Sequence, residues 1–418
     1  MSALTFLQYV NRVIGVLFFV CYFYQMLYLP VALTARKKKK EKAAPLRRYA
    51  VLISARNEEA VISKLLESIQ AQDYPAELVT TFVVADNCTD NTAQAARDAG
   101  AEVYERFDRR LVGKGYALNY LLSHIRETRG DDFFDGYFVF DADNLLRPDY
   151  ISQINKTFGP DCQIVTSYRN SKNFGDSWIS AGCALWFLRD AAFLNAPRAR
   201  LGISAVVAGT GFVFSREVML RCNGWPFHSL SEDTEFTVHS VLSGERIGYC
   251  GEAEFYDEQP TRFSQSWRQR MRWVRGNAGI LCREGGHLAA GLGGKNWLSC
   301  LDLLLSIAPA IVLTVMGAVA GAAASILELI SGGTILPLLA DGLTAFAVPY
   351  VLLFLAGAIT TATQWRRIHA APWKKVLYTF TFPFFMLTYV PVTIVSLFGK
   401  VEWKPIEHRA AVSIQELK

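Results

Sequence analysis

Two carboxylates close an apolar run, Phe138-Val139-Phe140-Asp141-Ala142-Asp143-Asn144, which follows the polar Gly130-Asp131-Asp132. Side chains alternate faces along a strand, so Asp141 and Asp143 project to the same side at its end. Carboxylates held that way suit a hard divalent cation, which takes oxygen ligands and bridges to a substrate's phosphates. A pair of solvated loop acids is the competing reading.

Further clusters keep that stretch company. Val112-Gly113-Lys114-Gly115-Tyr116-Ala117-Leu118-Asn119 is a Gly-Lys-Gly loop opening a helix, able to offer backbone N–H groups and one ammonium to a diphosphate. It is not a Walker A loop, because Lys114 is followed by Gly rather than Ser or Thr; an ordinary helix start with a solvated lysine competes. Gly209 and Gly211, around Thr210, let the backbone approach a ligand or a neighbouring chain closely. After Gly224-Trp225 comes Ser231-Glu232-Asp233, opening a helix. Acids there offset the helix dipole, and in a cleft one of them would serve as general base for an attacking hydroxyl. Ser264 to Cys282 is helical and rich in Arg and Trp, as an interfacial amphipathic helix would be. Its Gln269, Arg272 and Trp273 also share one face. Arg there would offset diphosphate charge, and Trp would stack on a sugar.

The elements that position these clusters alternate between strand and helix. Tyr49 to Ser54 and Thr81 to Ala85 read as buried strands, and Glu102 to Tyr104 as a short one. Helical spacing runs over Glu58 to Gln72, from Asp90 to about Ala99, and from about Tyr116 to Arg126. That alternation predicts βαβ units and a mostly parallel sheet. Ligands of such sheets bind outside the carboxyl ends of the strands. Ala55-Arg56-Asn57-Glu58, Asp86-Asn87 and Asp141-Ala142-Asp143 all fall at such ends.

The chain has 418 residues, 51% hydrophobic and 13% aromatic, with mean hydropathy +0.18. This predicts a soluble unit joined to a membrane unit. Val13 to Thr34, Leu303 to Leu327, Gly342 to Gln364 and Val376 to Gly399 lack charged residues and reach the roughly 20 residues a bilayer needs. The basic run Arg36 to Lys42 with Arg47 and Arg48 marks the cytoplasmic side, so the N-terminus is expected outside. Membrane flanks account for these charges better than nucleic acid, since no aromatic residues interleave them. Arg366, Arg367, Lys374 and Lys375 return to the inside. One more span would export a tail carrying Lys400, Lys404, Arg409 and Lys418; a Pro-broken hairpin over the last segment would keep it inside. The eight cysteines form no C-x-x-C pair, so neither zinc site nor disulfide framework is expected.

In order, these clusters resemble the membrane-integrated processive family 2 glycosyltransferases, the group of cellulose, hyaluronan and chitin synthases. The likeness covers Tyr49 to about Gly276. It implies an α/β GT-A nucleotide-sugar domain (49–262) between a transmembrane helix with its basic flank (1–48) and amphipathic interface helices (263–300), transmembrane segments (301–400) and a tail (401–418). It implies Ala55, Arg56, Asn57 and Glu58 as the first nucleotide loop, Asp86 as the acid on the uridine and Lys114 on the diphosphate. Asp141 and Asp143 would hold Mg²⁺ or Mn²⁺, with Asp143 the direct ligand. Ser231-Glu232-Asp233 resembles the family's Thr-Glu-Asp and makes Asp233 the base. Gln269-Arg270-Met271-Arg272-Trp273 fits the Gln-x-x-Arg-Trp of chain-extending members, with Gln269 and Arg270 toward the nucleotide and Arg272 catalytic. Gly209, Thr210, Trp225 and Trp273 would line the acceptor.

The expected reaction is inverting transfer from a UDP-sugar to a growing polysaccharide, in the plasma (inner) membrane with the catalytic domain cytoplasmic. Transfer of one or a few sugars to a lipid or protein is the alternative, and a non-catalytic transporter subunit a third. No nucleic acid is implied. An appended regulatory domain is not expected, which leaves room for a separate membrane or regulatory partner.

Overall fold

The computed structural model describes residues 3–34, 44–331, 335–399, 408, 410 and 412–417. The basic run Arg36 to Lys42, Gly332-Gly333-Thr334 and Lys400, Lys404, Arg409 and Lys418 lie outside them.

The order of elements follows the expected alternation. A long helix α1 (Ala3–Leu33) precedes β1 (Tyr49–Ala55), α2 (Ile62–Gln70), β2 (Val79–Asp86), α3 (Thr92–Asp98), β3 (Glu102–Arg106), α4 (Lys114–Arg129) and β4 (Gly136–Asp141). Then come β5 (Leu145–Leu146), α5 (Tyr150–Thr157), β6 (Ile164–Ser171) and α6 (Trp178–Arg189), which runs through a π-helical turn, Asp190–Asn195, into α7 (Ala196–Leu201). The domain closes with β7 (Phe212–Ser215), α8 (Arg216–Arg221), α9 (Glu232–Leu242) and β8 (Ile247–Asp257).

The strands form one eight-stranded sheet in the order β3-β2-β1-β4-β7-β6-β8-β5. β1 to β4 are parallel, with Ser54 opposite Asp141 and Ala55 opposite Ala85. That register aligns the ends of β2, β1 and β4, so the three polar clusters meet at one edge, about 4.8 Å apart per strand. The sheet is not mostly parallel beyond that point. β7 enters from the same edge through the Gly209–Gly211 turn and must run antiparallel to β4, pairing Phe212 with Val139. β6 and β8, parallel to each other, bring Ser171 and Asp257 to that edge as well. Alternating side chains fill a core on each face of the sheet: Val51, Ile53, Phe138 and Phe140 on one, Leu52, Phe82, Val139 and Trp225 on the other.

Past the sheet, α10 (Phe263–Ala290) leads to α11 (Trp297–Ile330), α12 (Ile335–Thr363), α13 (Pro372–Leu387) and α14 (Tyr389–Phe398). Four stretches are long and apolar enough to cross a membrane: α1, α11, Gly342–Thr363 of α12, and α13 with α14. Polar contacts fasten them to the domain. Arg198, buried after the π turn, donates from Nε to Asp302 of α11 at 2.8 Å, and the Tyr28 hydroxyl of α1 donates to the same carboxylate at 2.8 Å.

Both ends of the α13–α14 pair touch the catalytic domain. Lys374 donates to the Gly175 carbonyl at 2.8 Å, Phe385 packs on Gly182 of α6, and Arg275 of α10 donates to the Leu397 carbonyl at 3.0 Å. The pair lies along the domain instead of leading away from it. The tail returns to the sheet, where Leu417 and Ile414 pack on Leu145 and Tyr256.

Arg270 belongs to this docking and not to the nucleotide, which corrects its assignment. Its guanidinium is buried, donates to the Phe385 carbonyl at 3.2 Å and to Thr388 Oγ1 at 2.5 Å, and lies over the rings of Phe385 and Tyr389. Arg270→Ala should lower unfolding stability by about 2–3 kcal/mol and leave the donor KM unchanged; thermal unfolding beside steady-state kinetics checks both.

Candidate functional site

The site is built at the carboxyl edge of β2, β1 and β4. Asp141 is fixed through its backbone: its N–H donates to Thr210 Oγ1 at 2.9 Å, and Thr210 in turn donates to Asn144. Thr210 is thus a support for Asp141 and not an acceptor contact, which corrects its assignment. Lys114, at the start of α4, is pinned between Asp141, with which it pairs, and the Gly209 carbonyl at 2.8 Å. Gly115 follows because the chain crosses Phe227 there: a Cβ would stand 1.9 Å from that residue's carbonyl oxygen.

Asp143 is buried, accepting from the Glu258 N–H at 2.8 Å and from Asn144 Nδ2 at 3.3 Å. Burial opposes its charge, but His408, Lys172 and the Glu258 N–H outweigh that and hold the carboxyl below its usual range. His408 arrives from the tail and shares its Nδ1 with Glu58 at 3.0 Å. Burial works against the charged imidazole; Asp143 foremost, then Glu58 and Glu258, push it up to about 10. Glu58 is itself pushed up to about 6 by burial. The tail is held by the Ala410 N–H on Glu258 at 2.8 Å and by Lys172 on the Ala410 carbonyl at 3.2 Å.

A divalent cation fits this arrangement. The edge carries a surplus of carboxylates that protonated His408 and Lys114 balance, in the manner of stand-in cations. Among the described residues no three such side chains are gathered into a ready-made cage. That agrees with a metal held by one or two carboxylates, the rest of its sphere coming from substrate phosphates. Asp143 and Asp141 would hold it, with the His408 ring beside them once deprotonated.

On the far side of Gly209 stands the second acid pair. A Cβ on Gly209 would lie 3.5 Å from Asp233 Oδ2, and the Asp233 Oδ1 accepts from the Thr234 N–H at 2.8 Å. Burial first, then Asp233, push Glu232 up to about 7. Burial also raises Asp233, against the opposing pull of Thr234, Arg272 and Lys114. Gly211, with φ of +69°, must lack a side chain, since a Cβ would meet the Phe255 ring at 2.1 Å.

Trp273 lies edge-on to Phe187 of α6 with centroids 6.0 Å apart. One turn before it, the Gln269 Oε1 is buried without a hydrogen-bond partner among the described residues. Trp225 is elsewhere. It is 2% exposed, wedged among Phe212, Phe214, Phe227 and Phe236, so it is a core residue and not an acceptor contact. Ala55 likewise gives only its backbone to the edge. Asn57 adopts φ of +58° and accepts from the Thr89 N–H at 2.8 Å, knitting the first loop to the second. Arg56 is half-buried in that loop. Asp86 is buried, its Oδ1 taking Arg106 at 2.5 Å and Asn87 at 3.1 Å.

Sequence reasoning missed His408, Glu258, Lys172, Arg106 and Arg169. Arg169 is the most telling. It donates from Nε to Asp257 at 2.7 Å and from Nη1 to the Ala208 carbonyl at 2.8 Å, and lies 3.6 Å over the Phe187 ring. It therefore fixes the Gly209 loop to the end of β8. Arg169→Lys keeps the charge but loses the fork. The expected loss in kcat is about tenfold to a hundredfold, with donor KM little changed; initial-rate kinetics over donor concentration checks it.

Residues 45–276 match the profile of the glycosyltransferase like family 2. A probable glycosyltransferase, YdaM, of Bacillus subtilis (strain 168) is 27% identical over 271 residues, 59% of this chain and 59% of its own length. A beta-monoglucosyldiacylglycerol synthase of Synechocystis is 28% identical over 244 residues, 56% of this chain and 48% of that protein. The chain thus spans about half to three fifths of the length of these relatives. Among solved structures, the mannosyltransferase PcManGT of Pyrobaculum calidifontis, in complex with GDP-Man and Mn²⁺, superposes with a TM-score of 0.60 over 94% of this chain and 99% of that one, at 18% identity. That likeness gives the fold, a GT-A core joined to long apolar helices. With its Asp-x-Asp at the end of β4 and its acid pair at the start of α9, the chain belongs to the family 2 glycosyltransferases.

Proposed function

We propose that the protein transfers a single sugar from a nucleoside diphosphate donor to a hydroxyl of a membrane lipid, inverting the anomeric centre. Asp233 accepts the proton of that hydroxyl as it attacks the anomeric carbon, and the bond to the departing diphosphate breaks. Lys114 and Arg272 offset the charge developing on the leaving group. A bound divalent cation supplies Lewis-acid stabilisation of the same diphosphate. Burial keeps Glu232 largely neutral below about pH 7, so Asp233 holds the charge of the pair.

One observation carries the choice of acceptor. An aromatic surface runs from α10 to the apolar helices: Trp273 meets Phe187 of α6, and the adjacent Trp186 lies tilted against Tyr389 of α14 with centroids 6.1 Å apart. A lipid hydroxyl can reach the base along those rings without leaving the membrane surface. The relatives named as monoglucosyldiacylglycerol synthases support this reading over polymerisation, to which the Gln269–Trp273 motif had pointed. We place the catalytic domain in the cytoplasm at the plasma (inner) membrane, with α1, α11 and α12 crossing. The α13–α14 pair rests against the domain, and the tail stays on the domain's side.

The test is purified protein with Mg²⁺ or Mn²⁺, radiolabelled UDP- and GDP-sugars, and diacylglycerol or polyprenol acceptors. A solvent-extractable product bearing one sugar is expected. A high-molecular-weight polymer formed without added lipid would return the processive synthase to first place.

A further inference from the structure

A second feature lies outside the transfer site, at the turn joining α12 to α13. Phe354, Ala358, Thr361, Ala362 and Trp365 of the α12 side face Val376, Thr379 and Phe380 of α13 across a cleft of ≈ 240 Å³. Small residues at 358 and 362 open the gap. The two threonines hydrogen-bond to each other at 2.7 Å, so the wall there carries no wasted polar group. The volume is below the roughly 300–1,000 Å³ of a pocket that swallows a small molecule, and it suits part of a chain laid between helices.

The end of this cleft is strongly basic. Residues 364–375 carry Arg366, Arg367, Lys374 and Lys375 and no acid. Arg367 is committed to the domain, over the Tyr168 ring at 4.0 Å. Lys375 is 7% exposed, donates to the Trp365 carbonyl at 2.8 Å and stands 4.8 Å from the Trp365 ring. Among the described residues Lys374 reaches only the Gly175 carbonyl and the Trp373 ring. Among the described residues no carboxylate pairs with Lys374, Lys375 or Arg366. Buried ammonium groups are costly without a counter-charge, and Trp365 and Trp373 mark headgroup depth.

We propose that this cleft binds an anionic phospholipid, an acyl chain between α12 and α13 and the phosphate against Arg366 and Lys375. Basic pockets between helices at the cytoplasmic face recognise acidic headgroups in this way. The same turn is fastened to β6, where Asn170 donates to the Arg367 carbonyl at 2.8 Å and the Tyr168 hydroxyl to Gln364 at 2.8 Å. The bound lipid would steady the strand that carries Arg169 into the transfer site.

The experiment uses the full chain, purified in detergent, stripped of lipid and offered phosphatidylglycerol, phosphatidylcholine or inorganic phosphate, with retained lipid counted by mass spectrometry of the intact protein. Phosphatidylglycerol should be retained in preference to phosphatidylcholine, and about tenfold less in Arg366→Gln/Lys375→Gln. Ala358→Phe, which fills the cleft, should lose it too, with thermal unfolding confirming that each variant is folded. If the double variant fails to fold, Arg366→Gln alone is read beside Ala358→Phe. Equal retention of both lipids, retention untouched by Ala358→Phe, or displacement by phosphate alone would overturn the proposal.

Discussion

Asp233→Asn should cut transfer by about 10²–10⁴ while leaving donor affinity intact. The amide keeps the shape and the hydrogen bond from the Thr234 N–H but cannot take a proton. Titration calorimetry with the nucleotide, beside the rate, separates lost chemistry from lost binding; a weakened nucleotide affinity that accounted for the whole rate loss would remove Asp233 from the role of base. A pH profile adds a second reading. The base works only when ionised, and burial raises its carboxyl from 3.8, so activity is lost as pH falls through a midpoint above the ordinary Asp range. Glu232 is largely neutral over that range, so Glu232→Gln removes no charge there and should leave the acid limb in place.

The second large effect is at Asp143. Asp143→Asn should lower turnover by about 10³ and abolish the gain in nucleotide affinity that Mn²⁺ or Mg²⁺ gives the wild type. Chelation of the wild type should mimic it and be reversed by added metal; in the variant, metal should restore nothing. Asp141→Asn should cost less, because Lys114 remains held by the Gly209 carbonyl and stays available to the proposed donor. Equal losses at both positions would mean that the two carboxylates share the cation evenly.

The local signals in the chain were strong where chemistry and secondary structure coincide. Alternating strands and helices, with acids at the ends of β2 and β4, determined a nucleotide-binding α/β domain, and charge-free runs near 20 residues determined helices long and apolar enough to cross a membrane. The acids of α9 were legible because a first-turn carboxylate pair is compact in sequence. What misled at Arg270 was the motif match, since helical phase already set it apart from Gln269, Arg272 and Trp273. Arg270 and Arg272 are two residues apart, about 200° around a helix, and packing buries Arg270 under α13 and α14. Trp225 reads as a sugar platform by residue type, but after a Gly224 turn with φ of +101° its ring completes an aromatic core.

Long-range pairing decided the rest. The antiparallel entry of β7 forces β6 and β8 to end at the same edge as β4, and so delivers Arg169, Lys172 and Asp257 to a site in which local patterns had given those strand ends no part. His408 is 350 residues from its partner Glu58. A lone histidine in a polar tail carries no periodicity and no motif. Its place beside Asp143 exists only because the α13–α14 pair lies along the domain and hands the tail back to the sheet. Sequence alone determined which residues could do the chemistry; the folded chain decided which of them meet.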